Sequence, residues 1–324
     1  MRITNSMMLN NMMRNMSKNL SRMSKTEESL ATGKKFLRPS DDPIGVSRSL
    51  RLNTEVANME QFKRNAEDAL SWLDTTEMAL KNITDVLHRA RELTVKAVSE
   101  TNSIDERKAI AAEISELKNQ LINIANTTYA GSSIFTGFKT NKVLLDGSGN
   151  YYLKQESSDP VQILKASEEI EYSMGISDRI TVNLTAQKVF GADVGIDAPL
   201  DKNSDIDTTP PAKTPQMIKV FNQLIFDLNA NDSANISKAL TRIDLHFNNI
   251  NAVTAEVGVK SNRIELTLNR IDDDTLNLKD LLSKNEDADV AEVIMNLKMQ
   301  ENVYKASLSG GARIIQPTLM DFLR

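Results

Sequence analysis

Side chains suited to acid–base or metal chemistry are sparse in this sequence. The two histidines, His88 and His246, lie in separate helical stretches, and neither belongs to a carboxylate-and-histidine arrangement at metal-ligand spacing. The acidic run at 272–274 lacks the glycine and the terminal glutamate of a calcium loop. We therefore predict that these side chains occupy packed or solvated helix positions and bind no metal.

Nucleophilic and phosphate-binding groups are equally scarce. The chain has no cysteine, no Gly-x-Ser-x-Gly context and no phosphate-binding loop, and the glycines at 147–149 indicate a turn. Gly310 and Gly311 fall late in a helical stretch, where each costs about 1 kcal/mol relative to alanine. Two interpretations are open: the close approach of a neighbouring helix, which we favour, or a helix end followed by a loose tail. We predict no enzymatic activity and no cofactor.

Composition narrows the possible partners further. Of the 324 residues, 40% are hydrophobic but only 5% aromatic, which suits long helices packed side by side. The net charge of −5 argues against nucleic acid as a partner, which would require clustered Lys and Arg. No stretch of about eighteen apolar residues is present, so we expect no membrane span.

The spacing that does carry information is a pair of apolar stripes, one near each end of the chain. Steps of three and four residues place side chains along one face of a helix, as in a coiled coil. The N-terminal stripe consists of Leu9, Met13, Met16, Leu20, Met23 and Leu30. The C-terminal stripe consists of Val290, Ile294, Leu297, Tyr304, Leu308 and Ile315. We predict that these residues form an assembly interface, in which the two ends pair with each other and then with neighbouring copies.

Longer helices must position these two ends. The same spacing runs without a missed position through residues 59–97, again through 110–124 after a capping-box pattern at Ser103, and through 236–282. Breaks at 33–43 and 283–289 separate the terminal stripes from these longer seams. Asp42 followed by Pro43 predicts one helix start, and Thr214 followed by a proline predicts another.

Glycine and proline concentrate in the middle of the chain, where an alternating apolar pattern at 179–185 indicates a strand. The predicted fold class is therefore mainly α, with a terminal coiled coil, a long-helix bundle and an inserted β-rich domain. We assign residues 1–40 with 287–324 to the terminal domain, and 41–138 with 214–286 to the long-helix rod. The β-rich outer domain is predicted to cover residues 139–213.

Several segments resemble the flagellin superfamily, in the same order along the chain. They are ESLATGKK at 28–35, RPSDDPIG at 38–45, LHRARELTV at 87–95 and DADVAE at 287–292. A closer similarity, to the hook–filament junction members of this superfamily, comes from MRITNSM at 1–7, DALSWL at 68–73, SIFTGF at 133–138 and ITVNLT at 180–185.

The resemblance implies a structural protein of the bacterial flagellum with a flagellin-like fold. It implies a homo-oligomeric ring that contacts hook-associated protein 1 on one side and flagellin on the other. It further implies an export chaperone that masks the C-terminal helix in the cytoplasm. Export through the flagellar type III apparatus, without a cleaved signal peptide, would deliver the chain to the extracellular flagellum.

Two other functions stay open from the residues. A minor flagellin within the filament would use the same apolar stripes. A coiled-coil signalling or membrane-surface adaptor would rest on residues 1–26, which are basic, rich in methionine and free of Asp and Glu.

Overall fold

The computed structural model describes residues 5–98, 103–152, 163–165, 167–207 and 213–315. Its helices are α1 (Asn5–Thr32), α2 (Pro43–Val98), α3 (Ile104–Ala125), α4 (Ala186–Phe190), α5 (Gln216–Ala230), α6 (Ser233–Glu286) and α7 (Val290–Ile315). Its strands are β1 (Thr128–Tyr129), β2 (Ser132–Ser133), β3 (Ile163–Leu164), β4 (Glu171–Ser173), β5 (Arg179–Thr181) and β6 (Ile206–Asp207). The mainly helical fold predicted from the sequence is confirmed.

The helices begin and end where local chemistry favours it. Asp42 Oδ1 accepts hydrogen bonds from the backbone N–H groups of Ile44 and Gly45 at 3.1 and 3.0 Å, and Pro43 is the first residue of α2. Ser103 caps α3 in a complete capping box with Glu106. These two predicted helix starts are confirmed.

The predicted start of α5 is displaced by one residue. Pro215 is the N-cap rather than the first helical residue, and no side chain caps the helix. Thr214, expected as the cap, instead donates from Oγ1 to Asn150 Oδ1 at 2.6 Å. The predicted break after α5 is present, because Asn231 ends that helix in the left-handed conformation and α6 begins at Ser233.

The chain divides into two compact units, residues 1–60 with 273–324 and residues 61–272, and α2 and α6 contribute residues to both. Unit 2 (61–272) contains a large apolar core built on the predicted seam of α2. Ala66, Leu73, Leu80 and Ile83 have no exposed surface, because the spacing of three and four keeps them on one face. An ion pair of 2.6 Å between Arg89 and Glu113 joins α2 to the antiparallel α3.

Strands in the central region are few and short. Strands β4 and β5 pair antiparallel, with Tyr172 opposite Ile180, and β3 pairs antiparallel with β6. The region predicted as a β-rich domain therefore has, in its described residues, two-stranded pieces and the short helix α4 around an apolar core. Phe190 of α4 packs edge-on against Phe135 with ring centroids 5.6 Å apart.

Candidate assembly interface

Helices α1 and α7 of unit 1 (residues 1–60 with 273–324) pack against each other in antiparallel orientation. Near the start of α1, Met12 touches Gly311 at the end of α7. Farther along, Thr26 Oγ1 and Gln300 Oε1 form a hydrogen bond of 3.1 Å. Residue numbers rise on one helix as they fall on the other. The predicted pairing of the two ends is therefore present within one chain.

A short backbone bridge between the two helix breaks sets the register of this pair. Gly33 ends α1 with a φ of +70°, a conformation that favours glycine. Its carbonyl accepts from Ala288 N at 2.8 Å, while Lys35 N donates to the carbonyl of Glu286 at 2.7 Å. The Lys34 ammonium adds an ion pair with the buried carboxylate of Glu286.

Two further contacts hold the start of α2 against this bridge. Asn285 Nδ2 donates to the carbonyl of Gly45 at 2.9 Å and to Ser49 Oγ at 2.8 Å. A Cβ on Gly45 would lie 2.7 Å from a ring carbon of Phe36, so this position is closed to larger residues. The two linkers, which lie far apart in sequence, thus contact each other in one ordered region.

The predicted N-terminal stripe is only partly covered by this pairing. Met16, Met23 and Leu30 are half-buried, whereas Met13 and Leu20 expose 57% and 49% of their surface. The side chain of Leu9 lies outside the described set. The face of α1 that contacts α7 is rotated relative to the predicted stripe and includes polar residues. Its half-buried residues are Met12, Met16, Asn19, Met23, Thr26, Ser29 and Leu30.

The C-terminal stripe shows the same displacement. Leu297 and Tyr304 are half-buried, but Val290, Ile294 and Leu308 expose 52%, 44% and 45% of their surface. The side chain of Ile315 lies outside the described set. The side of α7 that is partly or fully buried consists of Val293, Asn296, Leu297, Gln300, Glu301, Tyr304, Ser307 and Gly311.

Sequence reasoning missed several of these covered positions because they are polar or small. Asn19 and Thr26 continue the spacing of three and four along α1, and Gln300 and Ser307 continue it along α7. A search for apolar residues alone passes over them. Reading the repeat without regard to residue type would have found this face. The role of the twelve predicted residues in assembly stays a prediction.

Gly311 is a point of close contact between the two helices. It is buried, and a Cβ at this position would lie 3.1 Å from Met12 Sδ and closer still to Met12 Cε. The close approach expected for the glycine pair is therefore present at Gly311. At Gly310 an added Cβ would have no neighbour within 4 Å among the described residues.

The ion pair between α1 and the linker that precedes α2 is polar and solvated. Lys25 Nζ lies 2.7 Å from Asp41 Oδ1, and this hydrogen bond lowers the pKa of the Asp41 carboxyl below its usual value. A groove of about 390 Å³ runs along the pair and is lined mainly by polar residues, among them Thr26, Asn296 and Gln300. An exposed ion pair contributes little stability, about 0–1 kcal/mol. This ion pair therefore adds little to the stability of unit 1.

The two histidines, the candidates for acid–base or metal chemistry, lie in unit 2. His246 is buried in α6, and its Nδ1 has no hydrogen-bond partner among the described residues. His88 packs edge-on against Phe247 at a centroid distance of 4.5 Å. Across the described residues, no group of three His, Asp or Glu side chains could hold a metal ion. Of the helices described, none is both long and apolar enough to cross a membrane.

Comparison with known proteins identifies both ends of the chain. Residues 3–140 match the family model of the bacterial flagellin N-terminal helical region, and residues 240–323 match that of the C-terminal helical region. Together the two models cover about two thirds of the chain. They include α1, α2, most of α6 and all described residues of α7, the helices that contribute to unit 1.

The relatives include proteins named flagellar hook-associated protein 3 and proteins named flagellin. The chain is 26% identical to flagellar hook-associated protein 3 of Escherichia coli over 314 residues, covering 94% of this chain and 96% of that protein. It is 32% identical to a flagellin of Clostridium tyrobutyricum over 191 residues, covering 56% of this chain and 48% of the flagellin. The chain therefore matches only about half the length of that flagellin.

Among solved structures, the flagellar hook-associated protein 3 of Legionella pneumophila has the same fold. It superposes with a TM-score of 0.57 at 20% identity, covering 72% of this chain and 97% of that one. This likeness concerns the fold only. With the two family models and the nearly full-length similarity to the Escherichia coli protein, it leads to one conclusion: the chain belongs to the flagellin superfamily of bacterial flagellar structural proteins.

Proposed function

We propose that this protein is the structural adaptor between the flagellar hook and the flagellin filament. The observation that carries the proposal is the pairing of α1 with α7, which leaves apolar side chains uncovered on both helices. Its support within the superfamily is the match to hook-associated protein 3, which spans nearly the whole of both chains.

The uncovered residues of α7 lie on both sides of its packed face. At 100° per residue, Val290, Ile294 and Leu308 fall along one edge of that face, next to Leu297 and Tyr304. Three other apolar side chains, Met295, Met299 and Val303, fall on the opposite side of the helix and expose 64%, 57% and 44% of their surface. A helix with apolar rows on two sides is suited to contacts with two neighbours.

Assembly would bury the apolar surfaces of α1 and α7 that a single chain leaves exposed. Each half-exposed methionine, leucine or isoleucine that leaves water on association gains on the order of 1 kcal/mol. Ordering a terminus costs about 1–2 kcal/mol per residue in backbone entropy, so an isolated pair with little covered surface is marginal. We infer that the termini gain most of their stability in a ring of copies.

The proposed partners follow from the position of such a ring. Hook-associated protein 1 would meet one side and flagellin the other. Methionine is well suited to such non-identical surfaces because its unbranched side chain adapts to differently shaped partners. A chaperone that covers the exposed row of α7 before export would prevent premature association. Export by the flagellar type III apparatus without a cleaved signal peptide belongs to the same proposal.

A single substitution on α7 tests the interface. Leu297→Asp places a carboxylate on the half-buried face, where an unpaired charge is costly. We expect unit 2 to stay folded while filament attachment is lost, measured by circular dichroism and by electron microscopy of flagella. Ser309→Asp, at an exposed position between the two apolar rows of the same helix, is the matched control and should leave attachment intact. Normal attachment of filaments in the Leu297→Asp strain would refute the proposed interface.

Localisation separates the junction role from the minor-flagellin role. A tagged copy at the junction would give a single band where the hook ends. A minor flagellin would give label along the filament. Label along the filament would overturn the junction assignment while leaving the family unchanged.

A further inference from the structure

The exposed side of the first turns of α2 is basic and apolar at once. Ile44 exposes 83% of its surface, and Arg48 and Arg51 follow it at four and seven residues, on the same side of the helix. With Pro43 and Ser47 they line an open hollow of about 490 Å³. Neither arginine has an ion pair within the described part of the chain. Glu55, one turn after Arg51, is likewise exposed and unpaired in that part.

The last turns of α6 carry the complementary combination. Leu276 exposes 67% of its surface and lies between two exposed carboxylates, Asp273 and Asp280. These three residues fall on one side of the helix at spacings of three and four. Asp280 Oδ2 accepts a hydrogen bond of 2.6 Å from Lys284, whereas Asp273 has no ion pair among the described residues.

One chain cannot bring these two patches together. Asn285 hydrogen-bonds the Gly45 carbonyl, and Lys279 pairs with Glu60 at 3.0 Å, so the end of α6 runs antiparallel to the start of α2. Leu276 therefore lies beside the region of Glu60, some sixteen residues along α2 from Ile44. At 1.5 Å per residue this is about 20 Å or more. Neither patch includes a residue of the buried seam formed by Ser49, Leu52 and Val56 on α2.

We propose that the basic patch of one copy, Ile44 with Arg48 and Arg51, binds the acidic patch of a second copy, Asp273 with Leu276 and Asp280. Every copy then offers one patch of each kind. Such a heterologous contact repeats head to tail and produces a ring or a helical array instead of a closed two-fold dimer. The inference rests on the proposed junction role and names the lateral contact between its subunits.

The charges in this contact set the register more than the strength of binding. Solvent-exposed ion pairs contribute about 0.2–1 kcal/mol each, so charge alone would not hold two copies together. Burial of Ile44 against Leu276 supplies the apolar contact, and opposite charges around it exclude shifted arrangements. The contact is therefore weak by itself and acts together with the terminal helices.

The absence of cysteine from the sequence allows a direct test by crosslinking in assembled flagella. The double variant Ile44→Cys with Leu276→Cys should give disulfide-linked multimers of this chain on mild oxidation, while each single variant should give none. The distance within one copy is too great for an internal disulfide. A tagged chain that sits at the junction yet gives no multimers would overturn the inference. Crosslinks to flagellin or to a hook protein instead would overturn the choice of partner.

Charge reversal gives a second measurement that does not depend on the introduced cysteines. Arg48→Glu should reduce the number of cells with attached filaments at least several-fold, and adding Asp273→Arg to the same chain should restore them. Arg64→Glu, another exposed arginine on α2, is the matched control and should have no effect. Failure of the second substitution to rescue the first would contradict the pairing. Label along the whole filament, with multimers present, would instead refute the junction role while retaining this contact.

Discussion

Two helical seams in this molecule share one spacing and differ in how completely a single chain covers them. The α2 seam of unit 2 is built from alanine, leucine, isoleucine and threonine, and Ala66, Leu73 and Leu80 have no exposed surface. The seam of α1 and α7 in unit 1 uses methionine with Asn, Thr, Gln, Ser and Gly, and most of its residues are only half-buried. Spacing identifies the face that packs, and composition indicates whether that face is completed within one chain.

The largest expected difference between the two seams concerns leucine truncation. Leu80→Ala in unit 2 removes a fully buried side chain, and we expect a loss of about 3 kcal/mol in unfolding free energy. Leu308→Ala in α7 removes a side chain that is 45% exposed in the single chain, so the expected change is within about 0.5 kcal/mol. Urea denaturation of the purified chain measures both. Equal losses would show that α7 is already fully packed without neighbours.

How far the sequence predicts this structure depends on how local the determining contacts are. The helix starts at Pro43 and Ser103 were predictable because their caps lie within three residues. The start of α5 was misplaced because Thr214 bonds Asn150, far away in the sequence. Contacts between residues far apart in the sequence, such as this one, cannot be predicted from the residues around the helix start alone.

The candidate interface shows the same limit. Its two helices and their breaks followed from apolar spacing and from Gly33. The covered face differs from the predicted stripe because it includes Asn19 and Thr26. A pattern based on apolar residues alone leaves these two out. The bridge between Gly33 and Ala288 joins residues from opposite ends of the chain. Only the folded geometry shows it.

Acid should weaken unit 2 through its one buried histidine. Burial lowers the pKa of His246 from 6.5 to about 4, so the unfolded chain binds a proton in this range and the folded chain does not. Stability is then fully present above pH 6.5 and is lost as the pH falls towards 4. Between pH 7 and pH 5 we expect the unfolding free energy to fall by about 2 kcal/mol. Urea denaturation at each pH measures this change.

One variant assigns this pH dependence. His246→Gln should remove most of the slope, because it removes the buried imidazole. Unit 1 contains no histidine, so the slope reports on unit 2 alone. A slope that persists in the His246→Gln chain would assign the titration to other groups.

A helix cap provides a smaller effect that is again confined to unit 2. Ser103→Ala removes the side-chain oxygen that accepts from the Glu106 N–H at 3.3 Å, and we expect a loss of about 1 kcal/mol. The reciprocal bond from the Ser103 N–H to Glu106 Oε2, which lowers the pKa of Glu106, remains available. The urea midpoint should fall, while hydrogen exchange in α7 should not change. Faster exchange in α7 would show that the cap also supports unit 1.

The smallest predicted effects compare two glycines in equivalent settings. Gly258 of α6 and Gly310 of α7 are both helical, and a Cβ at either position would have no neighbour within 4 Å among the described residues. Replacement by alanine should therefore favour the helix by up to about 1 kcal/mol at each site.

In unit 2 the gain should appear as a higher urea midpoint for Gly258→Ala. In α7 it should appear as slower amide exchange in the single chain, because that helix lacks a complete partner surface. If Gly310→Ala left α7 exchange unchanged while Gly258→Ala raised the midpoint, helix propensity could not be what limits the terminal pair.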